Sequence, residues 1–140
     1  MATFVDPKQK VEIALDDDNR VWVRARMDLR TQTAVETDLM KIRVSSEQMG
    51  KAQNGRIPSM DIVFSLSAQK MILMKHNVVR WAGPAFESDG RLVPCTPENI
   101  ERLDPVDCGD WIDLVAERIG TLNRRQTAIV TPPEAMDDPN

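Results

Sequence analysis

Apolar and polar positions alternate twice near the start of the chain. In Lys10–Leu15 the apolar Val11, Ile13 and Leu15 are spaced two apart. In Arg20–Met27 the set Val21, Val23, Ala25 and Met27 faces one way, and Trp22, Arg24 and Arg26 face the other. A period of two is the signature of a strand with one buried face. Asp16, Asp17, Asp18 and Asn19 lie between the two runs, and such residues tolerate left-handed geometry and bond their own backbone. The segment predicts a β-hairpin. The acidic triplet lacks the spacing and distal Glu of a calcium loop, so it reads as a solvated turn.

The period then lengthens. Asp28 can cap a helix carrying Val35, Leu39 and Ile42 on one face, whereas the β-branched Thr31, Thr33, Val35 and Thr37 favour a strand. A helix over Leu29–Lys41 is the reading taken. Ser45–Arg56 is polar, contains Gly50 and Asn54-Gly55, and predicts a mobile loop over about 45–56. From Ser59 a long helix is expected, with Ile62, Leu66, Lys70, Leu73, Asn77 and Trp81 near one stripe. Met71 and Ile72 widen that stripe and predict a mostly buried helix, stopped by Gly83-Pro84.

After this stop come short, strong local signals. Ser88-Asp89-Gly90 predicts a tight turn and Leu92–Cys95 a short edge strand. Thr96-Pro97-Glu98-Asn99 is a helix start: a cap oxygen, a proline that wastes no donor, and a carboxylate facing the dipole. Asp104-Pro105 interrupts that helix. The last one begins at Asp107 or Gly109, with Ile112, Val115, Ile119 and Leu122 at helical spacing. Residues 1–123 therefore predict one α+β domain: an N-terminal β-hairpin, with or without the Leu92–Cys95 strand, packed against a mostly helical layer of three to five helices. Residues 124–140, rich in proline and acid, predict a disordered or partner-ordered tail.

Composition narrows the function. With 140 residues, 41% hydrophobic and 29% charged, the chain is an ordinary globular domain. A net charge of −4 disfavours a general binder of phosphate backbones, which needs surplus Lys and Arg. No apolar run approaches the roughly 18 residues of a membrane span, and the N-terminus has no secretory core, so a cytoplasmic location is expected.

Chemistry is sparse. His76 is the single histidine, and Cys95 and Cys108 are not in a paired motif, so neither a metal nor a cofactor is expected. His76 reads as a partly exposed structural residue and Cys95 as a small buried hydrophobe. Glu98, Glu101, Asp104, Asp107 and Asp110 read as a solvated capping face. Phosphate loops and nucleophile elbows are absent from the sequence, and an enzyme is not expected. Arg24, Arg26 and Arg30 beside Trp22 could serve single-stranded nucleic acid, but fit a protein contact better, where Trp and Arg are enriched.

The order of Val78-Val79-Arg80-Trp81, Asp89-Gly90-Arg91-Leu92-Val93-Pro94, Thr96-Pro97-Glu98-Asn99-Ile100 and the Trp111–Ile119 helix resembles the tail assembly chaperones of long-tailed phages and prophages. The stretch VWVRARMDLRTQTAV is similar to that family's strand leading into its first helix, and the resemblance covers most of Val11–Leu122. It implies a non-enzymatic protein that binds the tape-measure protein and tail-tube subunits, self-associates, and works in the bacterial cytoplasm, absent from the mature virion. A structural neck or tail-completion protein is the alternative, and a small nucleic-acid-binding or regulatory protein the second. Contact residues expected on this reading are Trp22, Arg24, Arg26, Met71, Met74, Trp81 and Trp111, aromatic, Arg and Met anchors for a helical client.

Overall fold

The computed structural model describes residues 2–52 and 59–124, with side chains described for 2–42 and 66–124. The predicted hairpin is present: β1 (Lys10–Ala14) pairs antiparallel with β2 (Arg20–Arg24), Ile13 opposite Val21 and Val11 opposite Val23. Asp16 closes the turn by accepting backbone N–H bonds from Asp18 and Asn19, both at 2.8 Å, and two more from the Asn19 amide. These bonds, the Asn19 side chain first, hold the Asp16 carboxyl below its ordinary range.

Asp28 starts α1 (Leu29–Ala52) by accepting the Thr31 N–H at 2.8 Å. The helix wins over the β-branched threonines, and it also overruns its expected end. Its backbone stays helical through Ala52, where a loop from Ser45 was expected. Glu47, Gln48, Lys51 and Ala52 are good helix formers, and the one glycine, Gly50, costs only about 1 kcal/mol. Residues 53–56 of the expected loop lie outside the described residues.

The second correction matters more. Helix α2 (Ser59–Asn77) does not run on to Trp81; it ends at Asn77, and the next residue begins β3 (Val78–Ala82). Strand β3 pairs with β2 and completes a three-stranded antiparallel sheet, β1-β2-β3, with the N-terminal hairpin. Val78 lies opposite Val23, but Arg80 lies opposite Trp22, so Val79 is an extra residue, a β-bulge. The bulge lets Val78 and Trp81 both face the core although they are three apart. Buried Asn77 makes the abrupt change workable: its amide donates to the Leu73 carbonyl at 2.8 Å, satisfying a helix-end acceptor. Nor is α2 buried throughout, since Leu66 is exposed while Ile72 and Met74 are covered.

Gly83 turns the chain with φ 122, and a Cβ there would collide with the Asn19 side chain and the Asp18 carbonyl. A 3-10 turn at Pro84–Phe86 follows. The edge strand expected at Leu92–Cys95 is instead β5 (Arg91–Leu92), paired with β4 (Glu87–Ser88) in a separate ribbon. Asp89 and Gly90 both have positive φ, the geometry of a two-residue hairpin turn with native twist. Thr96 caps α3 (Pro97–Ile100) by accepting the Asn99 N–H, and α4 (Gly109–Leu122) closes the domain. The core joins Ile13, Val21 and Val23 to Val78, Trp81 and Phe86, with Val115 and Ile119 of α4 packed against them. The fold is α+β, with a β-hairpin and four helices among the described residues and β3 as the unforeseen third strand.

Candidate functional site

Three helices leave a space between them. α2 supplies Met71 and Met74, α3 supplies Ile100, the segment after it supplies Leu103 and Pro105, and α4 supplies Ile112. They line an open groove of about 480 Å³, the size range of small-ligand and peptide-anchor pockets. Met74 is almost fully buried and forms part of the floor, while Met71 is half-buried. Methionine suits this position because its unbranched thioether repacks against different shapes.

Two ion pairs bridge the elements around this groove. Lys70 of α2 meets Asp113 of α4 at 2.6 Å, and Lys75 of α2 meets Glu101 at the end of α3. Both pairs are partly solvated, so each contributes at most about 1 kcal/mol. Their effect is positional: they tie α2 to both neighbours and place charge of both signs beside an apolar floor.

The other expected contact residues fall elsewhere. Trp81 is 2% exposed, stacks on Phe86 with ring centroids 4.7 Å apart, and donates its indole N–H to the Val93 carbonyl at 2.6 Å. Trp111 is half-buried and meets Phe86 edge-on at 5.5 Å. Both tryptophans belong to an aromatic cluster that fastens the β4–β5 ribbon and α4 to the sheet. Trp81 therefore offers almost no surface to a partner, a correction to the sequence expectation, and Met74 at 1% exposed offers no more, which leaves Met71 as the accessible methionine.

Trp22 and Arg24 lie on the outer face of the sheet. Arg80 sits over the Trp22 ring, 4.5 Å from its centroid, a cation–π contact. Arg24 Nε–H donates to the His76 carbonyl at 2.9 Å, so this arginine also ties β2 to the end of α2. Arg26 is exposed beyond the end of β2. The seven residues thus divide among a groove (Met71, Met74), an aromatic cluster (Trp81, Trp111) and a sheet face with its margin (Trp22, Arg24, Arg26).

His76 is half-buried, as expected, but it has a partner no local pattern signals. Its Nε2 lies 2.8 Å from an Asp38 carboxylate oxygen, across the α1–α2 contact. That hydrogen bond is the chief reason Asp38 titrates below its ordinary value. Burial pushes the Cys95 thiol up to about 11, so it stays protonated at neutral pH and is a poor nucleophile. Among the described residues, no three His, Cys, Asp or Glu side chains are grouped to hold a metal ion. No described helix is long and apolar enough to cross a membrane.

Compared with protein-family models, curated proteins and solved structures, the chain finds no match.

Proposed function

We propose that the protein is a phage tail assembly chaperone that holds a helical segment of its client in the α2–α3–α4 groove. The observation that carries the reading is the groove itself: a methionine-lined apolar floor flanked by two ion pairs. An amphipathic helix docks in such a groove through apolar residues at i, i+3 or i+4, and i+7, while its polar residues meet the charges beside it. A tape-measure protein is long and helical, so before it is packed inside a tail it exposes many such faces. Covering them one segment at a time keeps it soluble, and release leaves no chaperone in the finished virion. The resemblance of Val11–Leu122 to this family points to the class of client, and the groove supports this way of holding it.

The test is a search of the neighbouring genes for a long helical tape-measure protein, followed by its co-expression with this chain. The reading expects the tape-measure protein to move from the insoluble to the soluble fraction and to co-purify with this chain. A Met71→Glu chain, folded but with a charge in the groove, should lose that effect. An insoluble client in both cases, or purified virions containing this chain as a stoichiometric component, overturns the reading in favour of a structural tail protein.

A further inference from the structure

The outer face of the three-stranded sheet is charged against the trend of the molecule. Alternate positions place Lys10 and Glu12 of β1, Arg20, Trp22 and Arg24 of β2, and Arg80 of β3 on that face. Four cations therefore share it with one carboxylate, and Glu12 is already paired with Arg20 at 3.0 Å, while the whole chain carries −4. Two of the cations besides Arg20 are also held in place. Arg80 is held over Trp22, and Arg24 is tethered by the His76 carbonyl. A face so arranged costs little further ordering when an anion arrives.

The chain itself brings one. The Met27 N–H donates to Asn123 Oδ1 at 2.7 Å, so the end of α4 is pinned beside the end of β2. Sixteen residues, 125–140, follow Arg124, and Thr131–Asn140 carries Glu134, Asp137 and Asp138 with no Lys or Arg. From Asn123 to Glu134 an extended chain reaches roughly 36 Å, whereas five residues of β2 span only about 17 Å. Reach is not limiting. Pro132 and Pro133 have no N–H to add to a strand edge, so side-chain contact with a face suits this segment better than extension of the sheet.

We propose that the acidic segment Thr131–Asn140 lies across this basic face of its own chain, its carboxylates against Lys10, Arg24 and Arg80. Tethering gives the segment an effective concentration on the order of millimolar, enough to occupy a face whose individual pairs are weak. The contact screens the face from other polyanions, and it is independent of what the groove holds.

The experiment compares two-dimensional ¹⁵N NMR spectra of the full chain with those of a triple variant, Glu134→Gln, Asp137→Asn and Asp138→Asn. The three substitutions remove charge and hardly change volume, and unchanged shifts at Val115 and Ile119 report an intact core. The expected result is a set of shift changes confined to Lys10–Ala14, Arg20–Arg24 and Val78–Ala82, including the Trp22 indole. The differences should fade as salt is raised and stay constant on dilution. Identical spectra over the three strands overturn the proposal. Changes centred on Met71 and Ile112 overturn it in favour of the groove, and changes that vanish on dilution overturn it in favour of a second copy.

Discussion

Asp38 of α1 and His76 of α2 meet at 2.8 Å, and the pair fastens the long first helix to the second where both are half-buried. Val35 of α1 is buried as well, so the pair and this side chain together anchor the helix where it packs on α2. Lys41 adds a second, more distant charge to Asp38 at 3.9 Å.

The pair has a pH signature. Asp38 is lowered in the folded state from an ordinary 3.8, mainly by its bond from His76. A carboxylate with a depressed folded pKa contributes stability that is present above the unfolded value and lost as pH falls through the folded one. Urea unfolding should therefore show stability dropping as pH falls below about 4, with a shallower drop in Asp38→Asn. Equal slopes in the two proteins would remove the pair from the account.

Gly83 and Gly120 should respond oppositely to alanine. At Gly83 the φ of 122 and the collision with Asn19 make Gly83→Ala cost at least about 1–3 kcal/mol. At Gly120, inside α4 with open space around it, alanine should stabilise by about 0.5–1 kcal/mol. Thermal melts of the two variants check both signs.

Asn123 closes α4 from outside. Its Oδ1 accepts the Met27 N–H and its amide donates to the Ile119 carbonyl at 2.8 Å. Asn123→Ala should cost about 1–3 kcal/mol, because a part-buried donor loses its acceptor. Asn123→Asp keeps that acceptor and should cost less. Faster hydrogen exchange at the Met27 amide in the alanine variant alone is the local readout.

Cys95 is a half-buried thiol near the Val78 carbonyl, with its pKa raised to about 11. Alkylation at pH 7.5 should be slower than for a free cysteine peptide, and should rise with pH beyond 9. Rapid labelling at neutral pH would contradict the burial.

What could be read in advance was local chemistry or one-sided periodicity. The hairpin was legible because its sheet has one buried face, and the α4 stripe because Val115 and Ile119 repeat at helical spacing against that face. Asp89-Gly90 and the Thr96 cap were legible because each acts within a few residues. Strand β3 was hidden by its own bulge. Val79 takes up one position, so Val78 and Trp81 reach the core with a spacing of three, which reads as helix. The overrun of α1 to Ala52 was hidden because polar helix formers and polar loops share a composition. Arg24 and His76 are 52 residues apart and Asp38 and His76 are 38 apart, so no periodicity could join them. The groove was half-visible: Met71 and Met74 are contact residues on the sequence reading, while Ile112 reads there only as part of a helical stripe and Leu103 carries no signal.

The most direct test of the chaperone account is a titration of the ¹⁵N-labelled protein with an amphipathic helical peptide from the tape-measure protein. The account predicts saturable shifts along Ser67–Met74, Ile100–Leu103 and Gly109–Asp113. It also predicts at least a tenfold loss of affinity, about 1.4 kcal/mol, in Met71→Glu with the fold intact. Absence of binding, shifts confined to the sheet, or full affinity in Met71→Glu would contradict it.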